Sequence, residues 1–246
     1  MTILELSTGW ASEVREFSSE RSKVSERPTV ASIQGKVKVR PNANETWYES
    51  GIEKDFLSLC VSENRVVSAI AQPFTLHFKD KLAKAPRRYT PDFLIEVDPL
   101  LDSTWSVHLT KKILVEVKPL AKLFRDRRKL LPKFHAARQW CIENEAQFFV
   151  FTDKTTSDLE LKTARMLERG LLSIPNKKTE TDLETILNTY GGLYLEGLLG
   201  MLQDKGNDKR SCVDAVMRRI SIGELWAPLF EGLKPHTMLR YIHEPL

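Results

Sequence analysis

The sequence predicts an α/β fold in which helices flank a mixed sheet, followed by a small helical C-terminal domain. Up to about residue 174, short apolar runs of strand length alternate with longer segments whose apolar residues recur at helical spacing. Beyond residue 181 only helical spacing remains, interrupted by Gly191 and Gly192. The length of 246 residues allows one sizeable core and a smaller second one.

Residues 1–47 are predicted to form an N-terminal arm. Their composition is polar and rich in serine and lysine, and their periodicity is weak apart from one short helix predicted near Trp10 to Phe17. We expect this arm to become ordered on DNA or on a partner protein.

A helix is predicted over residues 49–61, where Ile52, Phe56 and Leu59 define an apolar stripe. Glu53 flanks this stripe, so its carboxylate is expected at the boundary between core and solvent. That position suits a metal ligand and equally suits an ordinary surface glutamate, so both interpretations stay open.

The predicted sheet is assembled from short β-prone runs. Two runs flank Gln72-Pro73 between residues 66 and 78, and three more cover 93–97, 112–118 and 147–152. The last run is apolar on both faces, which predicts a central strand.

Three charged side chains gather at one edge of this sheet. Asp92 opens one strand, and Glu116 and Lys118 close the next strand, two residues apart. Because strand side chains alternate between faces, Glu116 and Lys118 are predicted to point the same way, with the neighbouring valines packed in the opposite layer. Two carboxylates can hold a divalent cation, and an ammonium can orient water and stabilise developing charge, so the pattern predicts phosphodiester cleavage. Ordinary strand ends also carry solubilising acids and lysines.

Four segments match the motifs of one nuclease family. They are Tyr48 to Phe56, Gln72-Pro73, Arg87 to Phe93 and Val115 to Lys118. On these segments the chain resembles the PD-(D/E)xK nucleases, and within them the TnsA-type endonuclease subunit of heteromeric, Tn7-like transposases. The resemblance runs from about Tyr48 to Thr152 and implies a restriction-endonuclease-like sheet. It also implies a catalytic set, which comprises Glu53, Asp92, Glu116 and Lys118.

The resemblance further implies a metal-dependent reaction with protein partners. Glu53, Asp92 and Glu116 would coordinate one or two Mg²⁺ ions, for which Mn²⁺ substitutes, with the Val117 carbonyl as an extra ligand. Lys118 would position the attacking water. In the family's scheme the enzyme cuts the 5′ transposon ends in double-stranded DNA, a separate TnsB-like transposase subunit handles the 3′ ends, and a TnsC-like AAA+ ATPase regulates both.

A basic segment follows the predicted catalytic strand. Between Lys122 and Arg138, seven basic residues stand against the single acid Asp126, a local charge of +6 within a chain of net charge +4. Its apolar residues recur at helical spacing, which predicts one amphipathic helix with a cationic outer face. Such faces are commonly just solvated, but the position beside the site favours contact with phosphates. The predicted DNA-binding residues are Gln72, Arg87, Arg88, Lys122, Arg125, Arg127, Arg128, Lys129 and Lys133.

The endonuclease domain is predicted to span residues 48–174 and to include a final helix from Asp158 that ends at Gly170. A linker is predicted at 175–180, before the C-terminal domain at 181–246.

That C-terminal domain is predicted to open with a helix whose capping box is formed by Thr181 and Glu184. Its size suits a winged helix, which the resemblance also implies, together with contact to DNA and to the ATPase. Arg218 and Arg219, at the end of a later helix, are equally consistent with DNA contact and with stabilising the helix dipole.

Several classes are disfavoured. No apolar run approaches the roughly 18 residues of a membrane span, and the N-terminus lacks signal-peptide features, so a cytoplasmic protein without membrane contact is predicted. Cys60, Cys141 and Cys212 are expected to be buried free thiols. Two alternatives to the transposition nuclease stay open: a stand-alone restriction or repair nuclease of the same fold, and a non-catalytic DNA-binding scaffold.

Overall fold

The computed structural model of the protein describes residues 14–18, 33–79, 85–98, 111–229 and 232–242. In chain order its elements are β1 (Val14–Ser18), β2 (Gly35–Val37), β3 (Thr46–Tyr48), α1 (Gly51–Ser62), β4 (Val66–Ala71), β5 (Phe74–Phe78), β6 (Arg87–Tyr89), β7 (Phe93–Val97), β8 (Lys112–Val117), α2 (Leu120–Arg125), α3 (Arg127–Glu143), β9 (Gln147–Phe151), α4 (Asp158–Leu172), α5 (Lys177–Tyr190), β10 (Gly192–Tyr194), α6 (Leu195–Asp204), α7 (Lys209–Ser221), β11 (Leu225–Trp226) and β12 (Met238–Tyr241).

The largest sheet has four strands in the order β4-β7-β8-β9. The first three strands are antiparallel to one another, whereas β8 and β9 are parallel, so the sheet is mixed as predicted. Helix α1 covers one face, where Phe56 packs with Phe93 and Val115. Helix α3 covers the other face, where Trp140 lies in one core cluster with Leu114. Burial on both faces explains why β8 is so apolar, whereas β4 leaves Val67 and Ile70 exposed.

Two smaller sheets lie before and beside this one. β5 pairs with β1 and β6, and β2 pairs with β3, all antiparallel. Residues 14–17 therefore lie in a strand, and the helix predicted near Trp10 to Phe17 is wrong there; residues 10–13 lie outside the described residues. Val14 and Phe17 have helical spacing, but pairing with β5 overrides this local preference.

Part of the predicted arm contributes to the core between α1 and the four-stranded sheet. Val37 and Val39 are buried in the cluster that contains Phe56 of α1. The rest of the predicted arm, residues 1–13 and 19–32, lies outside the described residues.

The basic segment forms two helices instead of the predicted single one. Helix α2 ends at Arg125 and α3 begins at Arg127, with Asp126 between them. Aspartate is a weak helix former, and the Asp126 carboxylate pairs with Arg125 at 3.1 Å, which favours a break at this residue.

Strand β9 lies at the edge of the described four-stranded sheet, so its predicted central position is wrong. Its apolar side chains face two helices. Phe148 lies with its ring centroid 5.3 Å from that of Phe134 in α3, and Phe151 lies 5.3 Å from Phe56 of α1. The apolar residues of β9 therefore indicate that helices pack on both of its faces. They do not indicate a further strand beside it.

Helix α4 continues to Leu172, so the predicted end at Gly170 is wrong. Gly170 lies where α4 crosses α7, and a Cβ atom at this position would stand 2.4 Å from the Cβ of Met217. Leu167, one turn earlier, is fully buried in the core cluster of the C-terminal helices. The glycine thus allows close helix packing instead of stopping the helix.

Helix α5 begins at Lys177, so the predicted linker at 175–180 and the predicted helix start at Thr181 are both wrong from residue 177 onward. The Asn176 side chain caps this helix by accepting from the N–H groups of the second and third helical residues. Thr181 lies inside the helix and donates its hydroxyl to the Lys177 carbonyl. Asn176 and Thr181 are both residue types that cap helices, and Asn176 is the one that caps α5.

The C-terminal part contains three short strands that the sequence analysis did not predict. Its elements follow the order α5-β10-α6-α7-β11-β12, and the strands form an antiparallel sheet in the order β10-β12-β11. Each strand is two to four residues long, too short to show clear alternation. Gly191, at φ +66°, follows α5 as predicted.

Two further expectations concern burial and membranes. The three cysteines are free and buried, as predicted. Within the described ranges, none of the helices combines the length and apolar character needed to cross a membrane.

Candidate active site

Asp92 lies in the turn that leads into β7, beside the end of β8. Its backbone N–H donates to the Val115 carbonyl at 3.1 Å, and its carbonyl accepts from the Gln72 N–H at 2.9 Å. Its carboxylate Oδ2 accepts from the backbone N–H of Val117 at 2.7 Å. Strand β8 therefore holds both the main chain and the side chain of this residue.

Glu116 is a buried carboxylate on β8, with only 3% of its surface exposed. Leu114 shares the α3 core cluster, whereas Val115 and Val117 belong to the α1 cluster, which confirms the predicted alternation. Oε2 of Glu116 accepts from the Tyr89 hydroxyl at 2.8 Å. Burial, followed by repulsion from Asp92, raises the pKa of this carboxyl.

Lys118 joins the two carboxylates. Its Nζ lies 3.1 Å from Oδ2 of Asp92 and 2.9 Å from Oε1 of Glu116, and it also donates to the Val117 carbonyl at 3.1 Å. Burial lowers the pKa of this amine, but the two carboxylates together outweigh burial and the net shift is upward. The structure thus brings Asp92, Glu116 and Lys118 together, with both carboxylates on the charged ammonium of Lys118.

Glu53, the fourth predicted catalytic residue, serves the first turn of α1. Its carboxylate accepts from the Glu49 N–H at 2.7 Å and from the Ser50 hydroxyl at 2.9 Å, and Ser50 in turn accepts from the Glu53 N–H. This arrangement is helix capping. Burial is the main cause that raises the pKa of Glu53, and the Asp92 carboxylate adds to the rise. The two carboxylates are therefore close enough to interact.

The donor set for a metal is only partly assembled. In the described part of the chain, no group of three Asp, Glu, His or Cys side chains is placed to hold a metal ion as it stands. Glu53 is engaged in its helix cap, and the Lys118 ammonium fills the space between Asp92 and Glu116. Oxygen atoms of Asp92, Glu116 and the Val117 carbonyl all face this one cation, and hard oxygen donors of this kind fit Mg²⁺ in exchange for the ammonium.

Tyr89 is a site residue to which the sequence analysis gave no role. It is 3% exposed on β6 and donates its hydroxyl to Glu116. Burial first, and then the charge of Glu116, raise its pKa well above the ordinary value, so the phenol keeps its proton. In the sequence, Tyr89 is marked only by its position after two arginines and three residues before Asp92, which does not indicate a bond to Glu116.

The predicted DNA-binding residues of the basic helices lie next to this cluster. Nζ of Lys133 is 5.8 Å from the centroid of the Tyr89 ring, which connects α3 to the site. The remaining basic side chains are exposed and comprise Lys122 and Arg125 on α2 and Arg127, Arg128 and Lys129 in the first turn of α3.

The other three predicted DNA-binding residues lie on the strands and turns before Asp92. Arg87 and Arg88 are exposed on β6, immediately before Tyr89. Gln72 is exposed in the turn between β4 and β5 at φ +46°, and its N–H is bonded to the Asp92 carbonyl. The backbone of Gln72 therefore supports the turn that carries the site aspartate.

Arg218 and Arg219 of α7 are engaged within the protein. Both pair with Glu180 of α5, Arg218 also donates to the Ser173 carbonyl at 2.8 Å, and Arg219 pairs with Glu224. Their side chains are 12% and 15% exposed. They tie the end of α4 to α5 and α7, so the structure favours a stabilising role over contact with DNA.

Comparison with known families identifies the class of this site. Residues 63–153 match the family model described as TnsA-like endonuclease N terminal. This segment runs from the end of α1 to just beyond β9; it contains Asp92, Glu116 and Lys118, while Glu53 precedes it. No match appears among curated proteins. Over that segment the chain is similar to a TnsA-like endonuclease domain, and the resemblance to TnsA-type endonucleases of Tn7-like transposases is confirmed there.

Proposed function

We propose that this protein is a metal-dependent DNA endonuclease that cuts the 5′ ends of a transposon during cut-and-paste transposition. It would act with a TnsB-like transposase subunit and a TnsC-like AAA+ ATPase regulator. The observation that carries the proposal is the cluster of Asp92, Lys118 and Glu116 at the ends of paired strands, inside the segment that matches the endonuclease family.

The residues of the cluster have distinct roles. Asp92 and Glu116 would hold Mg²⁺, or Mn²⁺ in its place, with Glu53 and the Val117 carbonyl as additional ligands. When bound, Mg²⁺ supplies charge neutralisation to the attacking and leaving oxygens. Lys118, freed from balancing both carboxylates, would orient the attacking water.

Tyr89 supports this arrangement from behind the carboxylate. Its bond to Oε2 of Glu116 leaves Oε1 facing Lys118 and the Asp92 side of the site. A second hydrogen-bond partner of this kind orients a metal-ligating carboxylate and limits its rotation.

The basic helices would contact DNA phosphates. Arg127, Arg128 and Lys129 lie in the first turn of α3, where the helix dipole is already positive and where the turn carries no acidic residue. Cations at such a position cost stability unless an anion offsets their charge, which supports phosphate contact. Lys133 extends this surface to the ring of Tyr89.

The C-terminal residues would form a winged-helix-like domain that docks the ATPase. The element order from α5 to β12 and the small antiparallel sheet support this architecture. Helix α7 packs closely against α4 at Gly170, and its terminal arginines are engaged. A docking role leaves α7 in place, whereas insertion of α7 into a DNA groove would require its separation from α4.

Cleavage assays with Asp92 variants test the proposal. We expect the purified chain with Mg²⁺ to make few double-strand breaks alone and to cut transposon ends once the transposase and ATPase are added. Asp92→Ala should abolish this cutting, and so should Asp92→Asn, which keeps an acceptor for the Val117 N–H but removes the charge. Both variants should unfold cooperatively.

The other outcomes separate the alternatives. Full cleavage by Asp92→Ala would reject the site. Robust sequence-specific cleavage by the isolated wild-type protein would favour a stand-alone restriction or repair nuclease. Absence of cleavage under all conditions, together with absence of Mn²⁺ binding, would favour the non-catalytic scaffold.

A further inference from the structure

An open cleft lies between helices α1, α4 and α7, away from the basic helices α2 and α3. Its volume is about 430 Å³, and its wall includes four basic side chains, Lys54 of α1, Arg165 and Arg169 of α4, and Arg210 of α7. None of these residues was predicted to bind DNA from the sequence, because they are separated by up to about 150 positions along the chain. We call this feature the interhelix cleft.

The positive charge of the interhelix cleft is incompletely balanced. Two acids, Glu168 and Asp214, complete its charged lining, and Asp55 pairs with Arg165, which leaves an excess of one positive charge. Asp214 lies 3.7 Å from Arg210, and Glu168 accepts a hydrogen bond from the Ser58 hydroxyl.

Two of the four cations lack a direct ion-pair partner among the residues that the structure describes. The side chains of Lys54 and Arg169 make no hydrogen bond or ion pair with the residues that the structure describes, whereas Arg165 pairs with Asp55. Arg165 and Arg169 are four residues apart on one face of α4, about 6 Å along the helix axis. Cations arranged in a row along a helix suit an extended polyanion better than a compact anion.

The cleft and the candidate active site share helix α1. Lys54 directly follows Glu53, whose carboxylate interacts with Asp92. Helix α4 packs against both α1 and α7, so its basic face leads from the helix that borders the site toward the C-terminal helices. A duplex held at the site would therefore meet this face on one side of the cut.

We propose that the interhelix cleft binds backbone phosphates of the DNA that flanks the cleavage site. This inference rests on the proposed nuclease function. DNA is favoured over an acidic protein because the cleft shares α1 with the site that is proposed to act on a phosphodiester, so a single ligand accounts for both. The cleft would then anchor the duplex between the catalytic sheet and the C-terminal helices.

The test compares two full-length double variants that each remove two positive charges. Lys54→Gln with Arg169→Gln alters the cleft, and Lys36→Gln with Lys205→Gln, on the β2-β3 hairpin and at the end of α6, is the matched control. Lys36, Arg169 and Lys205 are exposed and Lys54 is half-buried, so thermal unfolding of both variants is measured first to show that the fold is kept. Binding to a linear duplex of random sequence is measured over a salt series without divalent metal, so cleavage does not enter the readout.

Removal of one phosphate-binding cation lowers the slope of log affinity against log salt by about 0.9, so the slope of the cleft variant should fall by about 1.8 and the control should keep the wild-type slope. A wild-type slope in the cleft variant, or an equal fall in both variants, would overturn the inference, and the first result would point to an acidic protein as occupant. These failures differ from failure of the proposed function, which would appear as a wild-type chain without Mg²⁺-dependent cleavage in the presence of its partners.

Discussion

At the scale of single residues, Asp92 and Glu116 share one ammonium group. Lys118 lies near 3 Å from an oxygen of each carboxylate, and each carboxylate has one further donor of its own, the Val117 N–H for Asp92 and the Tyr89 hydroxyl for Glu116. Buried carboxylates are costly unless they are paired and hydrogen-bonded. Both carboxylates are therefore satisfied by donors of the protein itself, and a divalent cation bound at this site would take the place of the ammonium.

Replacing Tyr89 by phenylalanine should weaken metal binding without unfolding the protein. The change removes the hydroxyl that fixes Oε2 of Glu116 but keeps the buried ring. Loss of such a supporting partner typically reduces metal affinity or activity about 10- to 100-fold. Titration calorimetry with Mn²⁺ in the absence of DNA measures the effect.

A matched control for this prediction is Tyr48→Phe, which removes the hydroxyl of another buried tyrosine, on β3. Mn²⁺ affinity should stay at the wild-type value in this control. Equal affinities in Tyr89→Phe and wild-type protein would show that Tyr89 only fills space.

Replacing Glu53 by glutamine should stabilise the metal-free protein at neutral pH. Burial raises the pKa of Glu53 above its ordinary 4.5, so the folded state binds more protons than the unfolded state between 4.5 and the raised value. The free energy of unfolding of the wild-type protein therefore falls as pH rises through this window. Glutamine does not titrate, so the variant does not lose this stability. The gain should be present above the raised pKa and should vanish as pH falls below 4.5.

Chemical unfolding in EDTA at acidic and neutral pH checks this sign. Glu184→Gln, an exposed position on α5, removes the same charge and should show no such pH dependence. A gain for Glu53→Gln that is independent of pH would assign the effect to hydrogen bonding in the α1 cap.

The sequence could predict the residues of the site better than their partners. Asp92, Glu116 and Lys118 were identifiable because strand alternation and a strand start are local rules. The bond between Tyr89 and Glu116 joins positions 27 residues apart in sequence, which local patterns do not specify. The capping of α1 by Ser50 and Glu53 has a local signature, a serine followed three residues later by a glutamate. Only a metal-ligand role or an ordinary surface position was predicted for Glu53.

At the scale of elements, the first turn of α3 concentrates exposed cations at a helix N-terminus. Replacing Arg127 and Arg128 by glutamate should weaken DNA binding and lower its salt dependence by about 0.9 for each phosphate that is no longer bound. The same change should stabilise the free protein slightly, because acids are favourable at a helix N-terminus, by about 0.3–1 kcal/mol each. Salt-dependent binding and thermal unfolding measure the two effects.

In this variant, DNA affinity should fall while the unfolding temperature should rise slightly. A variant that binds DNA with the wild-type salt slope would show that the basic turn is only solvated. Mn²⁺ binding serves as the internal control, since neither arginine contacts the carboxylate cluster.

Helices and strands were predictable where their own apolar residues formed a clear periodic run. Strands β4, β5, β7 and β8 lie where the β-prone runs predicted them. The errors arose where tertiary contacts decide. Gly170 has the appearance of a helix stop, yet its missing side chain accommodates Met217 of a distant helix. The edge position of β9 depends on chain topology, which its own residues do not encode.

At the scale of the whole molecule, α4 joins the catalytic sheet to the C-terminal helices. It packs on α1 in one direction and on α7 in the other, and Leu167 is fully buried in the C-terminal core. Arg218 reinforces this junction through Ser173 and Glu180. The two parts of the chain are therefore less independent than a linker at 175–180 would make them.

Ending the chain at residue 176 should destabilise the remaining protein. The truncation exposes the buried face of α4, and exposure of Leu167 alone costs about 1.5–3 kcal/mol. We expect a lower unfolding temperature and increased binding of an apolar dye. Leu167→Lys in the truncated chain should reduce the dye signal, while an unfolding temperature equal to that of the full chain would contradict the prediction.

The pairing of β7 with β8 has a consequence for the newly made chain. Asp92 is held by the backbone of Val115 and Val117, and Lys118 donates its backbone N–H to Phe151 of β9. A slip of one residue in β8 would turn Glu116 and Lys118 together into the α1 layer and place a valine beside the Tyr89 hydroxyl. The cluster of Asp92, Glu116 and Lys118 therefore forms only when the chain as far as Phe151 is available and the strands have paired in this register. A newly made chain in which β8 is misaligned would keep its strands but lack the cluster on which the proposed cleavage depends.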